Sequence, residues 1–84
     1  MPYIKQKDRE GYDYLVEDLC YRIAGPGALN YVITKLCLGY GGKPWNYKQY
    51  NEVIGVLECA KQEFYRMQVA PYEDEKHRQN GGVT

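Results

Sequence analysis

The sequence has no serine and a single histidine among its 84 residues. The first absence removes serine nucleophiles, and the lone imidazole, His77, lies near the end of the chain. Cys20, Cys37 and Cys59 are odd in number and widely spaced, and each adjoins an apolar helical position. That is the pattern of reduced, packed thiols rather than of disulfides. A tetrahedral zinc site would need those three scattered thiols and His77 together, against the usual ligand spacing, so no metal and no cofactor are expected. Net charge is missing as well, since eleven basic side chains balance eleven acidic ones. This takes away the broad attraction to phosphate backbones on which nucleic-acid polymers are held. No run approaches the roughly 20 apolar residues of a membrane span, and residues 1–6 lack the make-up of a signal peptide. A cytoplasmic protein with no membrane partner is expected.

What the sequence does hold is tyrosine, ten residues against one phenylalanine, and a long helical period. Across residues 46–71 the apolar positions Tyr50, Val53, Leu57, Ala60, Phe64 and Met67 alternate steps of three and four over about five turns. Asn46 and Gln49 stand at capping-box spacing, with Pro44 and Trp45 barring an earlier start. Gly55 lies opposite this stripe and costs about 1 kcal/mol relative to alanine, so a second backbone is expected near it, with the small Cys59 one turn on.

The remaining chain gives three more helices. Asp8 resembles a cap for a helix over about 9–24, with Tyr12, Leu15, Val16, Leu19 and Ile23 as its stripe and Tyr14 and Tyr21 outside. Residues 1–7 read as an extended arm carrying Tyr3 and Ile4. Gly25 and Pro26 restart the chain into a helix over about 27–40. There Leu29, Val32, Ile33, Leu36 and Tyr40 face one way, and Tyr31, Thr34 and Leu38 add a second apolar side. A helix apolar on two sides is covered on two sides. A glycine loop around residues 39–43 leads to the long helix at about 47–70, and Pro71 ends its regular bonding. A short helix over about 71–79 follows, acidic at its start and basic at its end. The expected architecture is all-α, a small bundle of three main helices and a short fourth within one domain over residues 1–84. A chain this short buries only about 60–65% of its unfolded surface, so a homo-oligomer is expected.

The segments MPYIKQKDR, LNYVIT, YNEVIGVLECAKQEFYR and APYEDEK, with a closing NG, resemble a family of short uncharacterised proteins from bacteria and their phages. The resemblance covers almost the whole chain. It implies an all-helical accessory protein with no catalytic residues to carry over. The matching blocks include polar residues that packing alone does not require, among them Asn51, Glu58, Lys61, Tyr65 and Arg66, with Tyr31 and Thr34 in the second helix.

Glu58, Lys61 and Tyr65 fall at helical steps along one edge, where an acid, an amine and a phenol converge. Such a set either grips an anion or forms a structural ion pair. Catalysis near pH 7 draws on a histidine, an activated thiol or a metal, none of which is set up, so an enzyme is not expected. Two functions follow. In one, a homo-oligomer holds a small anionic, nucleotide-like molecule between subunits, with Tyr31, Thr34, Asn51, Glu58, Lys61, Tyr65 and Arg66 at the site. In the other, the chain docks on a host or phage protein through its exposed tyrosines. The expected interface residues are Tyr14, Tyr21 and Tyr31 for docking, and the second helix with Tyr31 and Leu38 and the small-residue face at Gly55 and Cys59 for self-association.

Overall fold

A computed structural model of the chain describes residues 4–41 and 44–83. Tyr3 of the arm and Gly42 and Lys43 of the glycine loop lie outside them. The described residues are all-α, as expected, with helices α1 (Glu10–Arg22), α2 (Pro26–Tyr40), α3 (Tyr47–Phe64) and α4 (Ala70–Asn80) and no strand. The chain divides into two units, Met1–Gln49 and Tyr50–Thr84, with the boundary inside the first turn of α3.

In the first unit, one 3-10 turn over Gln6–Asp8 precedes α1, where an extended arm and an Asp8 cap were expected. The Asp8 N–H donates to the Lys5 carbonyl at 2.9 Å, so residue 8 is spent inside that turn. Arg9 takes the capping position without a side-chain bond. Helix α2 begins as its sequence implies, with the Leu29 N–H donating to Gly25 at 3.0 Å and Pro26 in the first turn. Proline there forfeits only an N–H that no helix bonds. At the other end Gly41 is fixed by a close approach, because a Cβ on it would lie 2.7 Å from the Trp45 ring. The capping box is formed in both directions: the Gln49 N–H donates to Asn46 Oδ1 at 2.9 Å and the Asn46 N–H to Gln49 Oε1 at 3.2 Å.

The second unit is a single helical path. Pro71 neither breaks it nor starts a separate helix. A π-turn over Tyr65–Val69 joins α3 to α4, and the Ala70 N–H donates to the carbonyl of Tyr65, five residues back. In regular α-geometry the Pro71 ring would press on the carbonyl of Met67 and leave it without a donor, and widening the turn relieves that clash. The wide turn inserts one residue, so positions aligned along the helix are eight apart across it instead of seven. The Tyr65 hydroxyl accordingly donates to Glu73 Oε1. By the same count Tyr72, not Pro71, continues the line of Tyr50, Leu57 and Phe64.

The stripes that were expected to bury one another are not buried. Among the described residues none is fully buried, and Leu57, at the centre of the expected core, is 36% exposed. Leu19, Ile23, Val32 and Val53 are half-buried and the other stripe residues are exposed. The second unit holds no element apart from this one helical path, so nothing within it can cover the α3 stripe. Gly55 meets no neighbour either: a Cβ there would have nothing within 4 Å.

Candidate functional site

The polar edge of α3 is assembled by helical spacing. Glu58 and Lys61 sit three apart and pair at 3.1 Å, and Gln62 donates to the other carboxylate oxygen at 3.4 Å. The Lys61 hydrogen bond, then Gln62, then the charge of Lys61 hold the Glu58 carboxyl below its ordinary value. Lys61 and Glu58 are largely exposed, at 72% and 52% respectively, so water and salt screen the pair. Asn51 lies exposed seven residues before Glu58 on the same edge.

Tyr65 does not join this pair. The extra residue of the π-turn brings Glu73 within reach, and the phenol donates there. The hydrogen bond to Glu73, followed by the negative charge of Glu73, raises the Tyr65 phenol above its ordinary value, because a carboxylate acceptor favours the protonated ring. Arg66, one turn from Glu63, pairs with that carboxylate. Both cations assigned to an anion, Lys61 and Arg66, are thus held by acids of their own helix.

Thr34 and Tyr31 belong to the first unit. The Thr34 hydroxyl bonds back to the Asn30 carbonyl at 2.9 Å and to its Oδ1 at 3.2 Å, so it is engaged within α2. Tyr31 is exposed, as are Tyr14 and Leu38, and Tyr21 is 93% exposed. Cys59 is an exposed free thiol, and Cys20 and Cys37 are free as well. Among the described residues no three His, Cys, Asp or Glu side chains gather as a metal site. No described helix is long and apolar enough to cross a membrane.

Two features escaped the sequence. One is Glu73 as the partner of Tyr65. The other is a cleft of about 390 Å³ at the end of α4, lined by Tyr72, Glu73, Lys76, His77 and Asn80 and by residues 81–83. Gly81 turns the chain with φ +81°, a conformation that suits glycine. Gly82 then lies against the imidazole, since a Cβ on it would stand 2.3 Å from His77 Nε2. The signals were present as the four-residue spacing of Tyr72, Lys76 and Asn80 and the two successive glycines at 81 and 82.

Compared with known families, the chain matches Domain of unknown function (DUF6899) over residues 1–83. No curated protein and no solved structure matches it.

Proposed function

We propose that this chain, which belongs to the family Domain of unknown function (DUF6899), is a non-enzymatic homo-oligomeric binding protein of the cytoplasm whose helix faces are covered by further copies of itself. The observation that carries this is surface. No element of the second unit packs against the α3 stripe of Tyr50, Leu57 and Phe64, all of which are exposed. Scattered exposed apolar residues are ordinary, but a helix apolar along its length with nothing in its own unit against it is not. Sedimentation of the full chain between about 1 and 100 μM tests this. Dimers or larger species support it, and a monomer throughout overturns it.

The ligand of this assembly is a small anionic, nucleotide-like molecule held at the α3 edge, with Asn51, Lys61, Tyr65 and Arg66 supplied by one copy and the exposed Tyr31 ring by a further one. Supporting this is the exposure of the Glu58–Lys61 pair, which a multiply charged anion can replace at little cost. Sequestering such a molecule without altering it would serve a phage counter-defence role, a link that rests on analogy. Calorimetric titration with mono- and cyclic nucleotides tests it. Heat with unchanged nucleotide recovered supports binding, and absence of heat overturns it.

The second reading, docking on another protein, is favoured by one observation: Tyr21 stands almost wholly clear of the chain. Aromatic side chains so presented are the usual anchors of protein contacts.

A further inference from the structure

From the geometry at the end of α4 we infer a second binding site, for a small oxyanion carrying a flat ring, formed by Tyr72, Lys76, His77 and Asn80 under the returning tail. It rests on the small-anion part of the function proposed above and is independent of self-association.

The cations of the chain are unequally available. The salt bridges of the structure use Arg22, Lys61, Arg66 and Arg78. Lys76 has no carboxylate partner among the described residues, and its amine stands 5.6 Å from the centre of the Tyr72 ring. An anion at Lys61 or Arg66 must displace an acid, whereas one at Lys76 displaces only water. The rest of the lining is rich in donors. His77 offers its imidazole and Asn80 its amide, and the backbone N–H groups of Gly82 and Val83 take no carbonyl among the described residues. Glu73 is the one acid on the wall, and it already accepts the Tyr65 hydroxyl.

The negative end of the α4 dipole works against an anion here. Charge for the site therefore comes from Lys76, not from the helix. The Tyr72 ring supplies a flat apolar face beside that charge, which sets the ligand class as an aromatic phosphate or carboxylate. Two glycines in sequence, one for its left-handed turn and one for its contact with the imidazole, are what a tail specified to close over His77 requires.

His77 is the only histidine, so its ring resonances report on the cleft without ambiguity. The full chain is titrated with adenosine monophosphate to about 10 mM, with adenosine and ribose 5-phosphate as controls. A saturable shift of the His77 signals is expected with the monophosphate and none with adenosine. Lys76→Ala should weaken binding about tenfold or more, Gly82→Ala should reduce it by displacing the tail, and Lys35→Ala, outside both sites, should leave it unchanged. The inference is overturned by no saturable shift, by an equal response to adenosine or to ribose 5-phosphate, or by sensitivity to Lys61→Ala without sensitivity to Lys76→Ala. The last result would leave the α3-edge site standing alone.

Discussion

Phe64 is the most informative position to perturb, because it is 64% exposed in the single chain yet lies on the line of the α3 stripe. A phenylalanine side chain buries roughly 200 Å² when fully covered. At this exposure about 130 Å² is left for a partner to cover, worth about 3 kcal/mol per copy at 25 cal/mol per Å². A two-fold dimer covers two such rings, about 6 kcal/mol as an upper bound. Incomplete burial and the methyl retained in Phe64→Ala halve this to about 3 kcal/mol, so the dimer dissociation constant should rise by about 150-fold. The fold of the isolated chain has little to lose, and its helical circular dichroism at high dilution should be unchanged within about 10%. Sedimentation equilibrium of the parent and the variant over a dilution series measures the first effect. Unchanged association in the variant, or loss of helix content without change in association, would refute the assignment of this face to a second copy.

Three further outcomes follow from individual residues. Gly55→Leu should stabilise the helix of an isolated chain by about 0.5–1 kcal/mol, since nothing in the chain obstructs a Cβ there; lower association in gel filtration would place a second copy against Gly55, and undiminished association would remove it from the interface. The Glu58 carboxyl is held below its ordinary 4.5, so the pair's small contribution is full above that value and is lost as pH falls through the lower folded value; in side-chain NMR titration the Glu58 carboxyl should move to higher pH in Lys61→Ala, and an unmoved titration would exclude the pair. Pro71→Ala restores the N–H that regular α-bonding to Met67 needs, so the register should close by one residue and separate Tyr65 from Glu73. The folded Tyr65 value is raised, so its contribution is present below about pH 10 and lost as pH rises through that higher value. The late tyrosinate absorbance phase should accordingly move to lower pH in the variant, and an unmoved phase would contradict the register argument.

The helices were legible because their signals are local. Asn46 and Gln49 are three residues apart and satisfy each other's backbone whatever the rest of the chain does, and Pro26 suits a first turn in any context. Asp8 misled because an acid before a helical stripe also fits a 3-10 turn. The response to Pro71 was open at the level of sequence: a break, a kink and a π-turn all relieve the same clash, and only the geometry selects the third. Half of the α3 edge was therefore misassembled, since helical spacing brings Glu58 and Lys61 together but the inserted residue hands Tyr65 to Glu73. Periodicity also identified the apolar faces without identifying what covers them. Leu57 and Gly55 are equally consistent with a core and with a subunit contact in a list of residues. The cleft at His77 went unseen because residues at the end of a helix gain neighbours only from the path of the tail.

Native mass spectrometry of the protein purified from the cells that express it bears most directly on the central claim, because it reports subunit number and retained small molecules together. Species at two or more times the 9.8 kDa chain mass, carrying an added mass that dissociates as an unaltered nucleotide-like anion, are what self-association and binding without turnover predict. A bare 9.8 kDa species at high micromolar concentration would contradict both.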